Sequence, residues 1–116
     1  MKVILVDDEQ KFITMLAKRL GFRGIQADVV FTGDEAIQRV RNSHYDVAVL
    51  DIKMPGISGL KLKKELSLLD PALKFIFVTG HGGKQDGDPE QQEIYLSKPL
   101  DIDILIEMIS KVSNSK

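Results

Sequence analysis

The chain has no cysteine, no excess of either charge and no long apolar run. Without cysteine there is no disulfide framework and no thiolate metal site, which is in keeping with a reducing compartment. The formal net charge is −1. No basic stripe breaks that balance, so direct binding of nucleic acid by this chain is not expected. The N-terminus, "MKVILVDDE", has four apolar residues in a row before two aspartates. That is too short for the core of a signal peptide and far too short to span a bilayer. A cytoplasmic location is expected, with no membrane contact. No internal repeat and no linker composition appear, and 116 residues suit one domain with one core.

What the chain does have is alternation. "KVILV" (2–6), "VAVL" (47–50) and "KFIFV" (74–78) are short apolar runs, as expected of strands buried on both faces. "IQADVV" (25–30) and "IYLS" (94–97) read as weaker strands. Helical patterns lie between and after them. Residues 9–20 carry Phe12, Leu16 and Leu20 on one stripe with Ile13 and Ala17 beside it, and Gly21 and Gly24 are the expected stops. Thr32 and Glu35 have capping-box spacing before Ala36, Ile37 and Val40. Residues 59–69 follow Ser58 and place Leu60, Leu62, Leu66 and Leu69 toward the core. Residues 101–112 carry Ile102, Leu105, Ile109 and Val112, with Ile104 and Met108 alongside. Alternating strands and helices predict an α/β fold: a parallel sheet with helices on both faces. Ligands of such sheets bind outside the carboxyl ends of the strands.

Those ends bear Asp7 and Asp8, then Asp51, then Thr79, then Ser97, Lys98 and Pro99. Three carboxylates in one cleft repel each other unless one takes up a proton or a cation neutralises them. All-oxygen ligands with room for water suit Mg²⁺. A carboxylate beside a metal, an amine and a hydroxyl can act as a nucleophile toward phosphorus and give an aspartyl phosphate. Taken singly, each residue has an ordinary explanation. An Asp at a strand end usually caps a turn or helix, and a Thr there is a β-branched strand residue.

Together, "ILVDDE", "VLDIKMPGISGL", "FVTGHG" and "YLSKPL" resemble the receiver domain of two-component response regulators. The resemblance covers essentially the whole chain, so residues 1–116 are expected to form a single receiver domain. It implies a doubly wound, flavodoxin-like sheet of five parallel strands in the order 2-1-3-4-5. It also implies a phosphoryl group passed from a sensor histidine kinase or a histidine phosphotransfer protein to Asp51. Asp7, Asp8, Asp51 and the backbone carbonyl of Lys53 would hold the Mg²⁺, and Lys98 and Thr79 would contact the phosphoryl group. Thr79 and Tyr95 would carry the conformational switch, and Pro99 would follow a cis peptide after Lys98. A downstream effector protein, or an output domain outside this chain, would read the switch. No enzymatic activity is implied beyond self-phosphorylation from a phosphodonor and slow loss of the phosphoryl group. A phosphatase would be expected to carry an acid where Lys53 stands.

One stretch departs from the family. "GHGGKQDGDPEQQE" (80–93) occupies the place of the family's fourth helix, yet it lacks an apolar stripe and holds glycines that oppose helix. The expectation is a loop over 81–88, with His81 exposed. A short turn of helix near 89–93, or none, would follow. That face commonly docks effectors or a second receiver, so the usual dimer is not expected. Apolar surface left there calls for a partner or a homodimer through a different face. The alternative function is a constitutive interaction module with a receiver fold, in which phosphorylation is weakly coupled to output.

Overall fold

The computed structural model describes residues 1–80 and 94–114. Among these residues nine elements follow in chain order: β1 (Lys2–Val6), α1 (Gln10–Phe22), β2 (Gln26–Val30), α2 (Gly33–Asn42), β3 (Val47–Asp51), α3 (Gly59–Leu69), β4 (Lys74–Thr79), β5 (Ile94–Ser97) and α4 (Ile102–Ser113). The strands form one sheet in the order β2-β1-β3-β4-β5, and every pairing is parallel. The expected α/β fold and strand order are therefore found. The stretch 81–93, where the family's fourth helix was expected to be short, irregular or absent, lies outside the described residues. No helix among the described residues is long and apolar enough to cross a membrane.

The period of two along each strand divides the core into halves. Val3, Leu5, Val47, Val49, Ile76 and Val78 face one way, onto Ile13, Leu16 and Leu20 of α1 and Leu105 and Ile109 of α4. Ile4, Val6, Ala48, Leu50 and Phe77 face the other way, onto Ala36 and Val40 of α2 and Leu62 and Leu66 of α3. Both faces of the sheet are covered, which is why the central strands are apolar throughout rather than alternating. Tyr45, just before β3, is buried in the second half, and its phenol donates to Asp28 Oδ2 at 2.7 Å.

Helix ends follow local chemistry. Thr32 Oγ1 accepts the Glu35 N–H at 3.1 Å, as the capping spacing predicts. The Glu35 carboxylate reaches one residue further back than a capping box requires and accepts the Phe31 N–H at 2.9 Å. Ser58 Oγ accepts the Lys61 N–H at 3.2 Å, and Asp101 Oδ1 accepts the N–H groups of Asp103 and Ile104. Helix α1 continues through Gly21 to Phe22, and the turn is made at Gly24 with φ +82°. Gly21 is therefore not the stop.

Two leucines expected in the core, and one isoleucine expected alongside it, are exposed. Leu60, Leu69 and Ile104 are 43%, 38% and 46% exposed. In α3 the buried pair is Leu62 and Leu66, four apart, and at 100° per residue Leu60 falls on the far side of the helix. Ile104 lies one residue, and so about 100°, from the buried Leu105.

Helix α3 sits hard against the end of β3. The Gly59 N–H donates to the Ile52 carbonyl at 2.9 Å. A Cβ at Gly59 would lie 2.5 Å from the Asp51 carbonyl oxygen and 3.0 Å from Ile52 Cα. Backbone cannot swing aside as a long side chain can, so Gly59→Ala is expected to cost roughly 1–3 kcal/mol. Urea denaturation should show a lower midpoint with an unchanged slope, and a wild-type midpoint would refute this packing.

Candidate functional site

Asp7 and Asp51 are in phase with the α1/α4 side of the sheet, yet they stand where the strands end. Each is held by the backbone that follows it. Asp7 Oδ1 accepts the Glu9 N–H at 2.9 Å, and Asp51 Oδ1 accepts the Lys53 N–H at 3.2 Å. Both are buried, at 2% and 5% exposure, whereas Asp8 lies exposed at the rim. One carboxylate oxygen from each of Asp7, Asp8 and Asp51 lies within 4.8 Å of the others. Three hard oxygen donors at that spacing, one of them open to water, fit a small divalent cation that retains water ligands.

Lys98 arrives from the neighbouring edge. Thr79 pairs with Ser97 in the β4–β5 register, and one residue on, the Lys98 N–H donates to the Thr79 carbonyl at 2.9 Å. The Lys98–Pro99 peptide is cis. The Lys98 ammonium lies 2.9 Å from Asp7 Oδ2 and 3.9 Å from Asp51 Oδ2, and it is hydrogen-bonded to Glu9. Its other side rests over the Phe12 ring, 4.7 Å from the centroid.

The electrostatics follow from crowding. Burial, then the Asp7 charge, raises the Asp51 carboxyl from its ordinary 3.8 to about 6; Lys98 and the Lys53 N–H oppose the rise. Burial alone would lower the Lys98 pKa. Hydrogen bonds to Glu9 and Asp7, with the charges of Asp7 and Asp51, outweigh it and hold the ammonium above its ordinary range.

Asp7, Asp8, Asp51 and Lys98 are thus brought together. Thr79 is half-buried at the adjacent strand end. The Lys53 side chain is exposed, and its backbone borders Asp51. Tyr95 is not part of the acidic cluster. It lies on the α2/α3 side, stacked on Phe77 with ring centroids 5.3 Å apart. Sequence reasoning missed Glu9 and Phe12. Glu9 follows the acidic pair directly, and Phe12 stands a turn later on the same helix, but no periodicity reveals that both meet Lys98 from the other end of the chain.

Known proteins agree with this arrangement. Residues 3–110 match the family model described as the response regulator receiver domain. The two-component response regulator PhoP of Pseudomonas aeruginosa is 35% identical over 108 residues, which are 90% of this chain and 48% of that protein. The chain therefore spans about half the length of that relative. Sporulation initiation phosphotransferase F of Bacillus subtilis is 27% identical over 95% of this chain and 91% of its own length. The response regulator TrrA of Thermotoga maritima, solved in complex with Mg²⁺ and BeF, superposes with a TM-score of 0.83 at 29% identity, over 96% of this chain and 97% of that one. With a family model spanning nearly its whole length, and a sheet and acidic pocket that agree with it, the chain belongs to the response regulator receiver domain family.

Proposed function

We propose that this chain is a phosphoacceptor receiver: Asp51 takes a phosphoryl group from a sensor histidine kinase or histidine phosphotransfer protein, with Mg²⁺, and the change controls an effector. The observation that carries the reading is the buried Asp51, within 4.8 Å of two further carboxylates and 3.9 Å from the Lys98 ammonium. TrrA, 28% identical, has also been solved in complex with the histidine kinase ThkA, which supports a partner of that class.

In this reading an Asp51 carboxylate oxygen attacks phosphorus. A P–O bond to Asp51 forms as the bond from phosphorus to the donor breaks, and the donor's leaving atom keeps the electron pair. Asp7, Asp8, Asp51 and the Lys53 carbonyl are the groups that would hold the metal. Bound Mg²⁺ supplies charge compensation for the carboxylates and the phosphoryl oxygens. Lys98, already in the pocket, pairs with a phosphoryl oxygen, and the Thr79 hydroxyl donates to another. Tyr95, on the strand that leads to Lys98, answers the Thr79 movement and shifts a two-state equilibrium. Residues 1–116 act as one receiver unit in the cytoplasm, without touching nucleic acid or membrane. A receiver is not an enzyme beyond this self-phosphorylation chemistry.

Incubation with acetyl phosphate and Mg²⁺ should raise the intact mass by one phosphate, and Asp51→Asn should abolish the gain. An unchanged wild-type mass would sink the reading.

The raised Asp51 pKa gives a second outcome. In metal-free protein the folded state binds this proton more tightly than the unfolded chain does. The associated stability is complete below 3.8 and is lost as pH rises through about 6. Without metal, Asp51→Asn should therefore be more stable than wild type at pH 8 by on the order of 3 kcal/mol, and by roughly half of that at pH 5. Adding Mg²⁺ at pH 8 should narrow the gap. Urea denaturation at the two pH values, with and without chelator, measures it; an equal gap at both would contradict the crowding.

A further inference from the structure

Among the described residues, Glu9 is the charged group of the pocket to which the reading above gives no part. It stands at the N-cap position of α1, where the shorter Asp, Asn, Ser and Thr are preferred, and it makes no capping bond. Its own N–H is taken by Asp7. Its carboxylate is instead hydrogen-bonded to the Lys98 ammonium, across 89 residues of chain. The same ammonium is 2.9 Å from Asp7 and 3.9 Å from Asp51, and Phe12 lies beneath it. Lys98 is therefore held toward the Asp7 side of the pocket, by a carboxylate that makes no other side-chain bond among the described residues.

We propose that Glu9 is a positioning residue for Lys98, whose carboxylate competes with a phosphoryl group on Asp51 for the same ammonium. The proposal rests on Asp51 being the phosphoacceptor. An ammonium has three N–H donors. In the unphosphorylated pocket Glu9 and Asp7 take the short contacts, and Asp51 is left with the long one. A phosphoryl group on Asp51 brings anionic oxygens to that side, and Lys98 must loosen its bond to Glu9 to meet them. Glu9 thereby sets how much of the Lys98 interaction is gained on phosphorylation and how much is merely exchanged. Its side chain is 60% exposed, so the exchange leaves no buried charge unpaired.

Two variants separate position from charge. Glu9→Gln keeps the length and removes the charge. Glu9→Asp keeps the charge and shortens the reach by one methylene, which takes the carboxylate away from Lys98. The first readout is the equilibrium affinity for beryllofluoride, a phosphoryl mimic, at saturating Mg²⁺. The second is the rate of phosphorylation by acetyl phosphate. Thermal melts serve as the folding control, because Glu9 neither caps α1 nor lies in the core. If Glu9 positions Lys98, both variants bind beryllofluoride about two- to fivefold more tightly than wild type, the span of a partly exposed ion pair, and both are phosphorylated faster. Tighter binding by Glu9→Gln alone would assign the effect to net charge and overturn the proposal. Wild-type or weaker affinity in both would overturn it as well. A wild type that binds no beryllofluoride and gains no phosphate would overturn the phosphoacceptor reading itself, a different outcome from either of these.

Discussion

The structure turns on two carboxylates that the sheet does not let apart. Asp7 ends one central strand and Asp51 its neighbour, and parallel pairing of β1 with β3 leaves their oxygens within reach of each other and of Asp8. Both are buried, and loss of water first, then repulsion from Asp7, raises the carboxyl of Asp51. A site of this kind is relieved by a proton or by positive charge beside it. Lys98 provides part of that charge from β5, and the arrangement of acids leaves room for a cation to provide the rest. The same unrelieved negative charge suits the site to hold a metal and to welcome the positive charges that a phosphoryl group needs.

The scaffold makes this crowding tolerable. Both faces of the sheet are covered, by α1 and α4 on one side and α2 and α3 on the other, so the central strands are fixed by packing rather than by the site. Helix α3 starts at Gly59, close enough that only a hydrogen fits between its backbone and the Asp51 carbonyl. The Lys53 and Glu9 N–H groups each tie down one acid. The acids are thus held by short local bonds, whereas the cationic partner arrives by register, one residue past the Thr79–Ser97 pair. Lys98 is consequently the adjustable member of the pocket. Its ammonium is shared among Asp7, Glu9 and the Phe12 face, and a long flexible stem allows it to redistribute among them.

Much of this was legible beforehand, because two of its causes are local. Apolar runs such as "VAVL" announce doubly covered strands, and a parallel sheet places function at their carboxyl ends. The order of Asp7-Asp8, Asp51, Thr79 and Lys98-Pro99 along those ends is a pattern of the receiver family. Caps at Thr32 and Ser58 were readable for the same reason: each bond spans three residues. Where reading failed, the cause was angular or distant. A leucine-rich helix does not say which leucines face inward: Leu60 is turned to water, and Leu69, although in phase with Leu62, stands exposed at the last residue of the helix.

Spacing along the chain sets the alternation of strands and helices, the family, and which acids stand at the strand ends. Tertiary structure alone decided who meets Lys98. Glu9 and Phe12 are separated from it by most of the sequence, and only the docking of α1 beside β1 brings them under its ammonium. It likewise decided that Asp7 and Asp51 are buried while Asp8 is not, and burial is what makes the charge on these aspartates costly enough to call for a cation.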